Sequence, residues 1–197
     1  MKMTRFEKFF VNREMKGRRN AARIRESVRL LDLDAINDVL EIGCGIGTAS
    51  AALAEEFGWK VTGTDYDPAQ IDAAKRRYPE GDGLRFRRED ATRLSFPDNS
   101  FDFAFAQTVF HHIPEWSKAV AELSRVLRPG GTLFWMDLVV PARLRWAVWP
   151  LSGGAGVCVR ENVRAEFARN GFRLLRERRM PPVGVAFDEL VYSQTRD

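Results

Sequence analysis

The sequence predicts an α/β fold in which a mostly parallel, doubly wound sheet is covered by helices on both faces. Apolar, β-branched runs alternate along the chain with helix-like segments, which is the order that βαβ units produce. A glycine-rich turn follows the first of these runs and leads directly into a helix-like segment. Near the C-terminus, two strand-like runs are joined by only a short Pro-Pro-Val-Gly turn. These two runs are predicted to form an antiparallel hairpin, because parallel strands need a longer crossover.

Helical and strand signals alternate through the first half of the chain. Ile24, Val28 and Leu31 recur at helical spacing in a leading segment. Asp67 offers an N-cap side chain, and Pro68 follows it at the first helical position. The predicted elements are a leading helix at 18–31, a strand at 39–42, a helix at 48–57, a strand at 60–65, a helix from 68 to about 77 and a strand at 84–88.

The second half of the chain repeats this alternation and then adds the hairpin. A helix cannot continue through Pro129, Gly130 and Gly131. These residues are predicted to separate the helix before them from the strand that follows. An irregular link with two prolines and three glycines follows at 141–158. The predicted elements are a strand at 101–106, a helix at 116–127, a strand at 132–140, a helix at 161–170 and strands at 172–179 and 185–193.

Length and composition restrict the class of protein. With 197 residues and 45% hydrophobic content, the chain is long enough for one domain and too short for two ordinary ones. No apolar run approaches the roughly 18 residues of a membrane span, and charges interrupt the N-terminus where a signal peptide would be apolar. We therefore expect a cytoplasmic protein without a transmembrane segment. Cys44 and Cys158 lack metal-ligand spacing, so we expect two thiols and no metal site.

The net charge of +4 is unevenly distributed. Residues 1–31 hold ten Lys/Arg against three Glu, a balance of +7, and the remainder holds 21 against 24, a balance of −3. A basic N-terminal segment favours phosphate-bearing partners or an anionic membrane surface, and a solvated helix face has the same composition. Peripheral membrane contact therefore stays open at this point.

The glycine-rich turn, within VLEIGCGIGTAS at 39–50, is typical of a nucleotide-cofactor site. A strand that ends in such a turn and feeds a helix offers free backbone N–H groups and the positive end of the helix to a ligand. An acid at the end of the next strand is the expected partner, because a carboxylate accepts both hydrogen bonds of a ribose diol. Asp65 lies 22 positions after Gly43, at the required distance. The alternative is a tight turn in which Asp65 only caps the following helix.

The spacing of the glycines bears on which nucleotide is bound. A dinucleotide fingerprint that begins at Gly43 would place glycine or alanine at position 48, where this chain has Thr48. The chain has glycine at every second position instead, and Glu41 lies two residues before the first glycine. An acid this close disfavours a pyrophosphate and suits a ligand with an ammonium group. An NAD(P)-dependent oxidoreductase is kept as the weaker alternative.

Four ordered motifs resemble the class I S-adenosylmethionine-dependent methyltransferases, in particular the small-molecule group that includes ubiquinone and menaquinone methylases. The motifs are VLEIGCGIG, VTGTDYDPAQIDAAKRR, REDATRLSFPDNSFDFAFAQTVFHHI and ELSRVLRPGGTLFWMD, and the resemblance covers about residues 37–140. It implies a seven-stranded, Rossmann-like sheet whose last two strands form a reversed hairpin at one edge. The predicted domain then comprises a helical cap at 1–36, a cofactor-binding core at 37–140, a substrate-side insertion at 141–158 and a helix plus hairpin at 159–197.

The resemblance implies contacts to the methionine and ribose portions of S-adenosylmethionine. Glu41 would help to hold the amino-acid end, and Asp65 would bind the ribose hydroxyls. The loop residues that would pass under the methionine portion and ribose are Gly43, Cys44, Gly45 and Gly47.

The resemblance also implies contacts further along the cofactor. Tyr66 would lie against the adenine face, and Asp90 would accept a hydrogen bond from the adenine amino group beside the Ala91 backbone. Gln107, at the end of the fourth strand, would face the methionine portion. The alternatives are a core tyrosine at 66, an ordinary loop acid at 90 and a helix-capping glutamine at 107.

The cofactor carries the difficult part of such a reaction, so the protein mainly aligns the acceptor. A general base is needed only where the acceptor must lose a proton. His111 and His112 follow the fourth strand and are the candidate catalytic residues, with a helix-start or packing role as the alternative. The Asn/Asp-Pro-Pro-aromatic signature of adenine and glutamine N-methylases is missing near Gln107, which disfavours a nucleic-acid partner.

The predicted function is methyl transfer from S-adenosylmethionine to a small organic acceptor. Aromatic and basic residues in the N-terminal segment and the 141–158 link are expected to meet the acceptor, either as a lid or as an interface for a lipid or quinone precursor. A non-catalytic S-adenosylmethionine-binding module stays as an alternative, and so does an RNA methylase or RNA-binding module. The expected acceptor-side residues are Phe6, Phe9, Phe10, Arg143, Trp146 and Trp149.

Overall fold

A computed structural model of the chain describes residues 14–31, 33, 36–142, 158–183 and 185–195. Helices and strands alternate through these ranges as the sequence predicts. In chain order they are α1 (Glu14–Leu30), β1 (Asp38–Ile42), α2 (Thr48–Phe57), β2 (Lys60–Asp65), α3 (Pro68–Arg77), β3 (Leu84–Arg88), β4 (Phe101–Gln107), a 3₁₀ turn (Phe110–His112), α4 (Trp116–Val126), β5 (Leu127–Val139), α5 (Arg160–Arg169), β6 (Phe172–Val183) and β7 (Val185–Gln194).

The seven strands form one sheet in the order β3-β2-β1-β4-β5-β7-β6. All neighbours from β3 to β5 are parallel, whereas β7 is antiparallel to both β5 and β6. The doubly wound α/β class, the seven-stranded sheet and the reversed C-terminal hairpin are therefore confirmed.

Large and small side chains alternate along the central strands, and the two sets face different helices. Phe103 and Phe105 of β4 belong to the cluster that holds Ile24 of α1 and Leu53 of α2. Ala104 and Ala106, between and after them, belong to the cluster that α4 and α5 complete. Because successive strand residues point to opposite faces, helices cover both sides of the sheet.

Two strands are longer than predicted by more than one residue. β5 begins at Leu127, which pairs with Phe101 before the register shifts and pairing resumes at Thr132. Gly130, with φ of 78°, lies inside this irregular stretch, so the Pro-Gly-Gly sequence bulges the strand where the sequence predicts a break. β6 includes the prolines at 181 and 182, which an edge strand tolerates because one of its sides pairs with no strand among the described residues.

Within the described ranges, no helix has the length and apolar character needed to cross a bilayer. The same ranges contain no cluster of His, Cys, Asp or Glu that could hold a metal ion.

Candidate cofactor site

A cavity of about 290 Å³ opens at the carboxyl ends of β1, β2 and β4, under the first turns of α1. This edge is where open α/β sheets bind their ligands. Gly47 and His111 do not line the cavity. The predicted residues that do line it are Glu41, Gly43, Cys44, Gly45, Asp65, Tyr66, Asp90, Ala91, Gln107 and His112.

The glycine loop joins β1 to α2 through three residues in the left-handed region. Gly43, Gly45 and Gly47 have φ of 72°, 55° and 78°. A Cβ on Gly43 would stand 2.5 Å from Val109 Cγ2, and one on Gly47 would stand 2.5 Å from two atoms of the Phe86 ring. The loop therefore needs glycine at 43 and 47 both for its backbone shape and for close packing.

We expect Gly47→Ala to lower the free energy of unfolding by about 2–4 kcal/mol, since the new Cβ adds a clash to an unfavourable φ. Thermal or urea unfolding measures this loss. Gly58→Ala is the matched control, because Gly58 has φ of 69° but nothing within 4 Å of its added Cβ. The control isolates the cost of the backbone, about 1–2 kcal/mol. Equal losses of unfolding free energy in Gly47→Ala and Gly58→Ala would show that the Phe86 contact adds nothing to the cost at position 47.

Asp65 ends β2 and holds the glycine loop from the neighbouring strand. Its Oδ2 accepts a hydrogen bond from the Gly45 N–H at 3.0 Å, and its Oδ1 accepts one from the Asp67 N–H at 2.9 Å. Asp67 in turn caps α3 by accepting from the Ala69 N–H, as predicted. The carboxylate of Asp65 is thus fixed at the cavity wall beside the loop.

Glu41 lies on β1 at the floor of the cavity and is buried. The Ser50 hydroxyl of α2 donates a hydrogen bond to its Oε2. Burial raises the pKa of the Glu41 carboxyl to about 7, and the hydrogen bonds from Ser50 oppose this shift only in part. The carboxyl can therefore change its charge near neutral pH when a cation arrives.

We expect the binding of S-adenosylhomocysteine to weaken as the pH falls from about 7 to about 6, by up to about tenfold. Below this raised pKa the Glu41 carboxyl of the empty site is neutral. It must lose its proton before it can pair with the ligand's ammonium group, so a lower pH weakens binding. Calorimetric titration at several pH values measures the effect. Glu41→Gln and the ligand 5′-methylthioadenosine, which has no amino-acid portion, should both lose this pH dependence. An unchanged pH dependence in Glu41→Gln would refute the assignment.

Tyr66, Asp90 and Ala91 line the cavity and follow β2 and β3, the strands on the side of β1 away from β4. Tyr66 is 47% exposed, and the Arg88 guanidinium lies 5.7 Å from the centre of its ring. Asp90 is exposed, and its Oδ1 accepts hydrogen bonds from the backbone N–H and the hydroxyl of Thr92. Tyr66 is therefore no core tyrosine, and its flat ring is accessible to a planar ligand.

Gln107 closes the cavity at the end of β4. Its Nε2 donates to the backbone carbonyl of Asn20 in α1 at 3.3 Å, and its buried Oε1 has no partner among the described residues. A buried acceptor without a donor costs free energy, which a ligand with an N–H group would recover. This orphan oxygen, the nearby Glu41 carboxyl and the glycine cradle fit the amino-acid portion of S-adenosylmethionine.

The two histidines have different surroundings. His112 lines the cavity, whereas His111 lies beside it with the two rings 4.0 Å apart. The Nδ1 of His111 is 2.5 Å from Oδ1 of Asp137, a fully buried residue of β5. Oδ2 of Asp137 accepts hydrogen bonds from the Val109 and Phe110 N–H groups, so the acid also fixes the turn that carries both histidines.

Sequence reasoning missed several residues of the site. Asn20 of α1 forms part of the cavity wall, and Asp137 orients His111. Thr108, also in the wall, has φ of 55°, which is a strained value for threonine. The one available signal was an acid at 137 within the apolar run LFWMDLVV. The acceptor-side residues expected in the N-terminal segment and the link, Phe6, Phe9, Phe10, Arg143, Trp146 and Trp149, lie outside the described residues.

Comparison with known sequences identifies the core of the chain. Residues 40–135 match the family described as a methyltransferase domain. A 2-methyl-6-phytyl-1,4-hydroquinone methyltransferase of Synechocystis sp. is 40% identical over 99 residues, which are 50% of this chain and 31% of that protein. A demethylmenaquinone methyltransferase of Listeria welshimeri is 30% identical over 126 residues, 62% of this chain and 53% of that protein. The chain thus spans about half or less of the length of these curated relatives.

Solved structures share the fold. An S-adenosylmethionine-dependent methyltransferase of Methanosarcina mazei has a TM-score of 0.72 at 24% identity, covering 84% of this chain and 95% of the other. A geranyl diphosphate methyltransferase solved in complex with S-adenosylmethionine has a TM-score of 0.71 at 16% identity, covering 81% and 78%.

The sheet, with the cavity at its carboxyl edge, has the fold that these solved structures share, and the match to the methyltransferase domain family is over residues 40–135, about half of the chain.

Proposed function

We propose that the protein is an enzyme that transfers a methyl group from S-adenosylmethionine to a small hydroxylated aromatic acceptor of the hydroquinone type. The observation that carries the cofactor assignment is the buried Asp65 carboxylate, fixed beside the glycine loop in the cavity wall. The acceptor class is supported by the names of the two relatives, one a hydroquinone and one a demethylmenaquinone methyltransferase. A single domain, with its cap at 1–36, and a cytoplasmic location belong to the same proposal.

The proposed cofactor contacts use the geometry of the cavity. Asp65 binds the ribose hydroxyls, because its carboxylate can accept from both at once. Glu41 and Gln107 bind the amino-acid portion, and Tyr66 packs on the adenine ring. Asp90 accepts from the adenine amino group beside Ala91.

The glycine loop supplies the cavity wall beside the cofactor, through Gly43, Cys44 and Gly45. Gly47 lies behind the wall, packed on Phe86, and supports the loop.

Bound S-adenosylmethionine supplies a methyl group that its sulfonium already activates. The residues of this chain then have to align the acceptor and take up its proton. We assign the proton-accepting role to the pair of histidines: Asp137 accepts from the Nδ1–H of His111 and leaves its Nε2 as a basic nitrogen, and the His112 ring, 4.0 Å from the His111 ring, lines the cavity. His112 contributes the adjoining cavity wall. The acceptor's proton goes to the imidazole as the new bond to the methyl carbon forms.

The test is methyl transfer to 1,4-naphthohydroquinone, kept reduced under anaerobic conditions, with labelled methyl on S-adenosylmethionine. We expect labelled, ring-methylated product, and much less of it with the Asp65→Asn variant at a concentration of S-adenosylmethionine that does not saturate this variant. Binding of S-adenosylhomocysteine without any labelled product would reject this acceptor class. Absence of S-adenosylhomocysteine binding would reject the methyltransferase assignment itself.

A further inference from the structure

The outward side of helix α1 forms one exposed stripe that begins beside the cofactor cavity. Gly17 and Asn20 of this helix line the cavity, and Ile24 is buried in the core beneath the helix. Side chains separated by three, four or seven residues lie on one side of a helix, and we call this side the outer face of α1. Among the described residues of the helix, the exposed charged and large apolar side chains of this face are Met15, Arg18, Arg19, Glu26, Arg29 and Leu30.

The outer face carries more positive than negative charge. Its three arginines stand against one exposed acid, Glu26. Arg178 of β6 donates a hydrogen bond to the Glu26 carboxylate at 3.1 Å, so a cation outside the helix already matches this acid. The excess of positive charge is therefore largest at the end of the face nearest the cavity, where Arg18 and Arg19 lie.

Two large apolar side chains are exposed on the same face. Met15 is 63% exposed and Leu30 is 61% exposed, the highest values for large hydrophobic side chains in the described ranges. At a rise of 1.5 Å per residue, they lie about 22 Å apart along the helix. A helix face on which arginines alternate with exposed apolar side chains is typical of a helix that lies in a membrane interface.

The sequence that leads into α1 has the same composition as the outer face. Residues 1–13 hold four Lys/Arg against one Glu and include three phenylalanines. Basic residues near an anionic bilayer each contribute favourable binding energy, and apolar side chains add to it by insertion. The composition of the chain before α1 therefore supports the same kind of partner.

We propose that the outer face of α1 binds an anionic lipid bilayer. Arg18, Arg19 and Arg29 lie at the level of the lipid phosphates, and Met15 and Leu30 enter the apolar boundary below them. The bilayer then lies next to the first turns of α1, which cover the cavity. A hydroquinone acceptor with an apolar chain can pass from this bilayer to the cavity without crossing water. This last step rests on the proposed function, whereas membrane binding by α1 does not.

The outer face suits a bilayer better than a nucleic acid. The arginines would match the phosphates of either partner, but a nucleic-acid backbone offers no apolar layer to Met15 and Leu30. Single-stranded nucleic acids are also bound by aromatic side chains that stack on the bases, and the sequence of α1 contains no aromatic residue.

The test measures partitioning of the protein onto large unilamellar vesicles by sedimentation in 0.1 M NaCl. We expect the wild-type protein to partition about a hundredfold more strongly onto vesicles of phosphatidylglycerol and phosphatidylcholine in equal parts than onto phosphatidylcholine alone. The double variant Arg18→Gln, Arg19→Gln should lose about thirtyfold of the binding to the anionic vesicles, about fivefold for each arginine. Raising the NaCl concentration to 0.5 M should remove most of the preference.

The matched control is the double variant Arg85→Gln, Arg87→Gln, which removes the same charge from the opposite face of the sheet. Both arginines are exposed, and they flank Phe86 of β3. Phe86 is in register through Gly63 and Glu41 with Phe105, which packs on the α1 side of the sheet. Because successive strand residues alternate between faces, Arg85 and Arg87 point away from α1. This variant should bind anionic vesicles within about threefold of the wild type.

Three results would overturn the inference. The first is a wild-type protein without preference for the anionic vesicles, and the second is equal losses in the two double variants. The third is binding of a 20-nucleotide RNA without binding of the vesicles, which would assign the arginines to nucleic acid. Both double variants should bind S-adenosylhomocysteine as the wild type does. Failure of the wild type to bind S-adenosylhomocysteine would remove the proposed function and leave the membrane inference in place.

A second measurement locates the surface that meets the bilayer. An environment-sensitive fluorophore is attached to a Met15→Cys variant, whose native thiols at Cys44 and Cys158 are buried. Anionic vesicles should shift its emission to shorter wavelength, because the label enters the apolar boundary. The same label on an Arg85→Cys variant should not shift. Vesicle-bound protein with no shift at position 15, or with equal shifts at both positions, would show that another surface makes the contact.

Discussion

Asp65→Asn is expected to weaken the binding of S-adenosylhomocysteine by about a hundredfold. In the proposed complex, the carboxylate accepts hydrogen bonds from both ribose hydroxyls, and hydrogen bonds to a charged group contribute about 1.5–3 kcal/mol each. Asparagine has the same shape but only one acceptor oxygen, and it lacks the charge. In the wild-type protein Oδ2 accepts from the Gly45 N–H and Oδ1 from the Asp67 N–H, so the single oxygen of asparagine cannot serve both of these groups and the ligand. Calorimetric titration measures the loss.

Asp72→Asn is the control for the charge change, because Asp72 is an exposed acid on α3, the helix that follows Asp65. The Asp72→Asn variant should bind S-adenosylhomocysteine with the affinity of the wild-type protein. Thermal unfolding of Asp65→Asn separates loss of the ligand contact from loss of the loop. A dissociation constant within about threefold of the wild type would remove Asp65 from the ribose site.

Asp137→Asn should lower kcat for methyl transfer by about a hundredfold or more while S-adenosylhomocysteine binding changes little. In the wild-type protein, the Asp137 carboxylate accepts a hydrogen bond from His111 Nδ1 through one oxygen. Through the other oxygen it accepts from the Val109 and Phe110 N–H groups. An asparagine that keeps the backbone bonds presents its NH₂ to the ring, which reverses the tautomer and leaves Nε2 protonated. Steady-state kinetics with labelled S-adenosylmethionine measures kcat and KM separately.

The control for Asp137→Asn is a second buried acid in the same part of the sheet. Asp188 lies directly opposite Asp137 on β7 and pairs with Arg160 through both carboxylate oxygens. Asp188→Asn should reduce stability but leave kcat within about threefold. The losses of kcat caused by His111→Ala and by Asp137→Asn should not add in the double variant, because the two residues act as one unit. Additive effects, or equal losses of kcat at 137 and 188, would contradict the dyad.

Local signals account for the parts of the fold that the sequence predicts correctly. The N-cap at Asp67, the positive-φ glycines of the loop and the hairpin each depend on residues close together in the chain. The wall residues from Glu41 to Gln107 were predicted through motifs whose order and spacing are fixed by the βαβ units. The start of β5 was misplaced, because Pro-Gly-Gly has the same composition whether it breaks a strand or bulges it.

The contacts that sequence reasoning missed join residues far apart in the chain. His111 and Asp137 are 26 positions apart and meet only because β4 and β5 are neighbours. Ser27 of α1 and Arg176 of β6 are 149 positions apart, and the Arg176 guanidinium donates a hydrogen bond to the Ser27 hydroxyl at 3.1 Å. The sequence contains acids within apolar strands at both 137 and 189, which is a signal that a buried carboxylate needs a partner. It does not contain the identity of that partner.

The proposed function depends on which nucleotide the glycine loop binds. Parallel calorimetric titrations of the purified protein with S-adenosylhomocysteine and with NADH test it directly. We predict saturable binding of one S-adenosylhomocysteine per chain and no binding of NADH, because Glu41 suits an ammonium group and opposes a pyrophosphate. Binding of NADH without binding of S-adenosylhomocysteine would contradict the account and make the cavity a dinucleotide site.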